Sequence, residues 1–274
     1  MANRMRIHPQ VQPMAIGRTF LLGFFLQFCG ADSFLHAEAM HEAGAVTCAS
    51  GRCGKIMLDS TDRAPGAHGL ARIARHDATT MIDVELRGMK PATLFGGDYN
   101  TYVLWIASAG DRIENIGEFV LNGTQGSVHA STGLETFAIL VTAEPHFLVE
   151  KPSPFVVLLT MPQKGGATVS YRAQEGLYNF ERAGLQGVTH ARGPVFTAVK
   201  QARTAVRLAQ RAGALELAQP ELLQAEHALD VTFERLRGGG NRDEIEALAR
   251  NTVRLAVGAQ TLALGRAFQN ARVE

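Results

Sequence analysis

The segment Thr101-Tyr-Val-Leu-Trp-Ile-Ala107 gives the clearest indication of the fold, because its apolar side chains fall on both faces of an extended strand. Thr136-Phe-Ala-Ile-Leu-Val-Thr142 and Phe155-Val-Val-Leu-Leu-Thr160 follow the same pattern. A strand that is apolar on both faces belongs in the centre of a sheet that is covered on each side. The three segments therefore predict the central strands of a β domain.

Flanking segments predict further strands and the turns between them. Met81-Ile-Asp-Val-Glu-Leu-Arg87 alternates apolar and charged residues, as a half-buried antiparallel strand does. The strand at 116–121 stops at Asn122-Gly123, which is a strong hairpin signal. Shorter strands are predicted at 69–75 and 127–130. About seven short strands without an intervening helix predict an immunoglobulin-like antiparallel β-sandwich over residues 66–163.

The C-terminal part of the chain changes to helical periodicity. Pro194 starts a helix in which Val199, Ala202, Val206 and Ala209 continue a seam with steps of three and four residues. A second helix is predicted from Pro220, and a third over 242–268. The expected fold class is thus segregated α+β: the sandwich, a glycine-rich linker (164–193), and a C-terminal antiparallel helical hairpin or three-helix segment (194–270).

The first two predicted helices carry opposite charges. Residues 195–214 hold four bases and no acid, whereas residues 214–234 hold five acids and no lysine or arginine. Opposite stripes favour antiparallel pairing of the two helices, although exposed ion pairs stabilise little. The alternative for the basic stripe is contact with an anionic surface.

The N-terminus has the three parts of a secretory signal peptide. Arg4, Arg6 and Arg18 precede a short apolar run over 19–28, and small residues follow up to Ala37. We predict a signal peptide over 1–37 that is cleaved after Ala37. Retention as an N-terminal membrane anchor is the alternative, although the run is only about half the ~20 residues of a membrane span.

The segment that follows the signal, 38–65, is predicted to be flexible. It contains Cys48 and Cys53, which can form a disulfide across a small loop in an oxidising compartment. We predict no metal site, no cofactor and no catalytic constellation. The nine histidines are scattered, and the phosphate-loop and hydrolase-elbow patterns are incomplete or missing. Signal cleavage removes three arginines and one aspartate, which changes the net charge from +1 to −1. That charge argues against a dedicated nucleic-acid binder.

Two stretches resemble known families. Tyr102-Val-Leu-Trp105, Asn115-Ile-Gly-Glu-Phe119 and Phe137-Ala-Ile-Leu-Val-Thr-Ala-Glu-Pro145 resemble, in the same order, the extracytoplasmic β-sandwich of anti-sigma-K factors. Ala202-Arg-Thr-Ala-Val-Arg-Leu-Ala209 and Ala218-Gln-Pro-Glu-Leu-Leu-Gln-Ala225 are similar to the helical hairpin called domain of unknown function 4398. This order resembles acidobacterial-type envelope proteins. The resemblance implies an envelope location but not sigma-factor binding.

These patterns predict an exported, non-enzymatic protein of a bacterial cell envelope, located in the periplasm, elsewhere in the envelope or secreted. It would act as a protein-interaction or structural module. The alternatives are an exported enzyme or carbohydrate-binding module that uses the loops near Glu144–His146, and a regulatory ectodomain held at the membrane by an uncleaved N-terminus. The partner would be an unidentified envelope protein or a second copy. We expect Leu262, Leu264 and Phe268 to form the interaction surface, because the third helix outruns the other two.

Overall fold

The computed structural model describes residues 38–162, 164–174 and 194–272. The predicted signal peptide lies outside the described residues, and so does the predicted linker from residue 175 onward. In the described chain, strands come first and helices follow, which confirms the segregated α+β class.

The strands of the described chain span 38–174. They are β1 (Glu38–Gly44), β2 (Val46–Thr47), β3 (Gly51–Ser60), β4 (His68–His76), β5 (Thr79–Arg87), β6 (Thr101–Ser108), β7 (Arg112–Phe119), β8 (Gly126–Thr132), β9 (Thr136–Glu144), β10 (Val156–Leu159) and β11 (Thr168–Gln174). A short 3₁₀ turn, Ala92–Phe95, lies between β5 and β6.

The main sheet is antiparallel and nearly closes on itself. Its order is β7-β6-β9-β10-β3-β4-β5-β8, and β2 pairs with β9 outside that path. The weakest join is between β3 and β10, which pair only at Asp59 and Ser60 of β3. The outermost strands, β7 and β8, come together again: a Cβ added to Gly117 would lie 2.7 Å from Cγ1 of Val128.

The core fills the space that the curled sheet encloses. Large side chains from β3, β4 and β5 meet those from β6 and β9, and all are buried. They include Leu58, Ile73, Ile82, Leu86, Tyr102, Leu104, Ile106, Phe137 and Ile139. Alternation along each strand sends these residues inward, and burial of their apolar surface drives the folding of this region.

The central strands are also covered on their outer face, as the two-sided apolar pattern predicted. β1 and β11 form a separate two-stranded ribbon. Tyr171 of this ribbon packs with Trp105 of β6, Leu140 of β9 and Leu208 of the first helix. Every residue of β6 is therefore buried.

The helices are α1 (Pro194–Arg211), the single turn α2 (Ala214–Leu217), α3 (Gln219–Arg237) and α4 (Arg242–Ala271). α4 packs against both α1 and α3 through a seam rich in alanine, including Ala202, Ala209, Ala225, Ala249 and Ala256. Asn241 caps the last helix, since its Oδ1 accepts a hydrogen bond from the Asp243 amide at 2.9 Å.

Two of the predicted segment boundaries need correction. Residues 38–65, predicted to be flexible, contain β1, β2 and β3. Residues 168–174, placed in the linker, are β11. β1 and β11 pair with each other across more than 120 residues of sequence, and neither shows a strong apolar pattern on its own. β3 pairs with the neighbouring β4, but most of its side chains are exposed.

The predicted charge pairing of the first two helices was also wrong in its detail. Arg203 and Arg207 of α1 are exposed, and in the described part of the chain neither forms an ion pair with α3. A neutral side chain makes the polar link instead, from Gln210 Nε2 to Glu226 Oε1 at 2.7 Å. The apolar seam with α4 brings the helices together, so the charged side chains stay in solvent.

Candidate functional site

A partly buried ion pair fastens the helices to the β domain. Glu118, at the end of β7, is only 7% exposed, and its Oε2 lies 2.5 Å from Nη2 of Arg250 on α4. Its Oε1 accepts hydrogen bonds from Thr101 Oγ1 at 2.7 Å and from Gln201 Nε2 at 2.6 Å. One carboxylate therefore joins two strands to two helices, and its three donors offset much of the cost of burying its charge.

α1 lies on the β domain through a second, more polar face. Thr204 Oγ1 accepts a hydrogen bond from Asn100 Nδ2 at 2.9 Å, and Gln201 Oε1 accepts one from the Phe147 amide at 3.0 Å. Arg211 pairs with the buried Asp98 at 2.5 Å. The positions 201, 204, 208 and 211 recur at helical spacing. The sequence prediction missed this face because only one of its four residues is apolar.

The segment after β9 is held between β7 and α4. Asn115 Nδ2 donates to the carbonyl oxygens of Phe147 and Val149, each at 2.9 Å. The Phe147 ring lies beneath the Arg250 guanidinium, whose Cζ is 4.6 Å from the ring centroid. The Cζ atom of Arg254 is 5.9 Å from the same centroid. These cation–π contacts add to the ion pair at the same junction.

Glu118 and Arg250 line two clefts. One has a volume of about 320 Å³ and is bounded by Val120, Phe196 and Glu246. The other is shallower and is bounded by Ile116, Phe147 and Glu150. Glu118 and Arg250, which line both clefts, already bond to each other.

Glu144 and His146 do not lie on an exposed loop. Both side chains are buried, because β9 ends beneath the segment that α1 and α4 cover. The alternative prediction, an enzyme or carbohydrate-binding module that uses the loops near Glu144–His146, would have to rely on neighbouring exposed side chains such as Glu150 and Lys151. His146 borders a small cavity of about 160 Å³ that Val257 and Leu264 of α4 also border.

The Glu144 carboxyl belongs to a buried hydrogen-bond chain. Trp105 Nε1 donates to Thr142 Oγ1 at 2.8 Å, and that hydroxyl donates to Glu144 Oε1. The Ser153 amide donates to the same oxygen at 2.7 Å. Burial raises the Glu144 pKa to about 8 and lowers the His146 pKa to about 4. Each side chain is thus neutral near pH 7, the usual state of a buried group without a charged partner.

Cys48 and Cys53 are joined as a disulfide, with their Cα atoms 5.3 Å apart. The bond closes the turn between β2 and β3. Whether it forms in the cell depends on export and remains a prediction. Among the described residues, no group of three or more His, Cys, Asp or Glu side chains could hold a metal ion.

The predicted interaction residues lie at the far end of α4. Leu262 is 40% exposed, Leu264 is 39% exposed and Phe268 is 65% exposed. Ala263 is the last buried residue of the helix, and beyond it Arg266 Nη1 donates to the Leu217 carbonyl of α2. We call residues 262–271 the α4 tip. Arg272 lies beside the tip, its guanidinium carbon 5.7 Å from the Phe268 ring centroid.

Comparisons with protein-family models, curated proteins and solved structures find no match to this chain. Within the described ranges, none of the helices is both long enough and apolar enough to cross a membrane.

Proposed function

We propose that this is an exported, non-enzymatic protein of a bacterial cell envelope in which the β domain holds the helices in place and the α4 tip binds a partner. One observation carries the proposal. The tip exposes Leu264 and Phe268, four residues apart on one helix face, and Leu262 on another face, on a helix that the Glu118–Arg250 pair fixes to the sheet. Apolar side chains that cluster on a surface are typical of protein–protein contacts.

The signal-like N-terminus and the order of the two family resemblances support the envelope location. They do not name a partner. A second copy of the chain and another envelope protein are both compatible with an apolar helix end.

We also propose that the β domain is an immunoglobulin-like sandwich. The sheet divides at the short β3–β10 join into the runs β4-β5-β8 and β10-β9-β6-β7. The first run would then be strands A-B-E of an immunoglobulin domain, and the second run strands G-F-C-C′. With this assignment the letters follow the order of the strands along the chain. On this assignment β3 precedes strand A and links the two layers.

The triple variant Leu262→Glu/Leu264→Glu/Phe268→Glu tests the binding surface. We expect it to unfold at the same urea concentration as the wild type while it loses self-association, measured by light scattering, or loses cross-linking to its partner in intact cells. Leu215→Glu/Leu223→Glu is the matched control, because both leucines are exposed to a similar degree on α2 and α3. Unchanged association in the triple variant, or a large loss of stability, would contradict the proposal.

Cell fractionation with N-terminal sequencing tests the location. A mature chain that starts near residue 38 in an envelope or secreted fraction supports cleavage and export. A chain that starts at Met1 in the membrane fraction supports the anchored ectodomain instead. Full-length protein in the cytosol contradicts export.

A further inference from the structure

The cleft bounded by Val120, Phe196 and Glu246 lies where the helices meet the β domain. We call it the junction cleft. Its lining combines the 3₁₀ turn before β6, the start of β6 and the end of β7 with residues of α1 and α4. Its volume of about 320 Å³ falls within the range of small-molecule sites, roughly 300–1,000 Å³, and such sites form preferentially between domains.

Two buried side chains that line the junction cleft have unused hydrogen-bonding capacity. Asn100 is 7% exposed, and its Nδ2 donates to two backbone carbonyls and to Thr204 Oγ1. Its Oδ1 accepts no hydrogen bond within the described chain. Thr93 is 9% exposed, and its hydroxyl has no hydrogen-bond partner among the described residues. Because buried polar atoms are rarely left unpaired, both groups point to a polar occupant of the cleft.

The charged side chains of the junction cleft are already paired. Glu118 and Arg250 bond to each other, and the third charged group, Glu246, accepts a hydrogen bond from Arg242 Nε at 2.9 Å. An ion that entered the cleft would lose hydration without meeting an unpaired counter-charge, which is unfavourable. The cleft therefore favours a neutral ligand over an ion of either sign.

Apolar side chains supply much of the remaining lining. Phe196 is 37% exposed and Val120 is 46% exposed, and Pro91 and Leu121 also line the cleft. A ligand with an apolar body would remove this surface from water. A volume of about 320 Å³ is that of roughly ten water molecules, so a ligand of about ten non-hydrogen atoms fits.

We propose that the junction cleft binds a small neutral molecule that joins an apolar body to a hydrogen-bond donor, of which an aromatic alcohol is the simplest form. The ligand donates to Asn100 Oδ1, because that atom can only accept. Its apolar body covers Phe196 and Val120, and the Thr93 hydroxyl can bond to a second polar atom of a larger ligand. The cleft shares no residue with the α4 tip, so the inference stands apart from the proposed function.

The probe is 2-phenylethanol, compared with its methyl ether, which keeps the oxygen and lacks the hydrogen that is donated. Binding is measured by NMR titration of the purified chain, in which the side-chain amide resonances of Asn100 report on its Oδ1. We expect a Kd of about 1 mM for the alcohol. We expect the ether to bind about tenfold more weakly, because it buries Asn100 Oδ1 without a donor.

Two charged molecules on a similar frame test the preference for a neutral ligand. 2-Phenylethylamine is a cation at pH 7 and phenylacetate is an anion. Each should bind at least about tenfold more weakly than the alcohol, because each loses hydration in a cleft whose charges are already paired.

The variant Val120→Trp tests where the alcohol binds. The larger side chain should fill the cleft and weaken binding by at least about tenfold, and the exposure of Val120 should leave the fold intact. Met81→Trp is the matched control, because Met81 is 44% exposed on β5 and does not line the cleft. It should bind the alcohol as the wild type does.

Four results would overturn the proposal. They are absence of binding at millimolar alcohol, equal binding of the alcohol and the ether, tighter binding of either ion, and binding that survives Val120→Trp. The first three are measured on the wild-type chain, so they decide the matter even where the tryptophan variant fails to fold.

Discussion

The β domain and the helical domain bury apolar surface in different ways. The β domain packs large side chains such as Trp105, Tyr102 and Phe137 on both sides of its central strands. The helical seam consists mainly of alanine, which lets helices approach closely but removes little apolar surface per residue. The difference indicates that the β domain supplies most of its own stability, whereas the helices depend more on their attachment to the sheet.

Truncation of a core side chain in each domain gives the largest expected effect and tests this comparison directly. Leu104→Ala removes a fully buried side chain from the centre of the β domain and should lower the free energy of unfolding by about 3–5 kcal/mol. Leu222→Ala, in the helical seam, should cost about 2–3 kcal/mol, because smaller neighbours can close part of the cavity. Urea denaturation followed by circular dichroism measures both. Equal costs would contradict the comparison.

The pH dependence of the free energy of unfolding should report on Glu144 and His146, the two buried neutral groups of the β domain. The folded Glu144 pKa of about 8 lies above its ordinary value of 4.5, so the stability linked to this group is fully present below pH 4.5 and is lost as the pH rises to 8. The folded His146 pKa of about 4 lies below 6.5, so its contribution is present above pH 6.5 and is lost as the pH falls to 4. The two slopes oppose each other between pH 4.5 and 6.5, and only the Glu144 slope remains above that range.

Glu144→Gln should remove that upper slope, because the amide oxygen can still accept the Thr142 and Ser153 hydrogen bonds and cannot ionise. At pH 8 the variant should be more stable than the wild type by about 2–4 kcal/mol. Thermal unfolding at pH 5, 6.5 and 8 measures the effect. Parallel profiles for the two proteins would show that Glu144 is already ionised in the folded state.

Removal of the Glu118–Arg250 ion pair should allow the helices to unfold separately from the β domain. Glu118→Ala leaves Arg250 and Gln201 without their partner and should cost about 1–3 kcal/mol, less than a fully buried pair because Arg250 is partly exposed. We expect the helices to unfold at a lower urea concentration than the β domain, which replaces one transition by two. Trp105 fluorescence follows the β domain, and the far-ultraviolet signal near 222 nm follows the helices. A single coincident transition would show that the alanine seam and the remaining contacts suffice.

The smallest expected effect concerns the charged stripes of α1 and α3. Arg207→Glu changes an exposed charge that has no ion-pair partner in the described chain, and it should change the free energy of unfolding by less than about 0.5 kcal/mol. Urea denaturation at low and high salt measures it. A loss above 1 kcal/mol that disappears in high salt would restore the original prediction of pairing by charge.

Elements with a local residue pattern could be predicted from the amino-acid sequence. The two-sided apolar strands β6, β9 and β10, the alternating β5 and the Asn122-Gly123 turn all lie where predicted, and so do the three long helices. The reason is that alternation and helical spacing are set within a few neighbouring residues, so a short window of sequence contains the whole signal.

Features that depend on distant partners become visible only in the folded chain. β1 and β11 are strands because they pair with each other over the outer face of the central strands. Glu118 links the two domains because three donors bond to its carboxylate: Thr101, Gln201 and Arg250. These donors are up to 132 residues away in sequence. Glu144 is buried and neutral because its carboxyl lies where the Ser153 amide and the hydrogen-bond chain from Trp105 through Thr142 meet. Each of these outcomes is set by burial and by hydrogen bonds between segments far apart in the chain, which no local pattern of residues encodes.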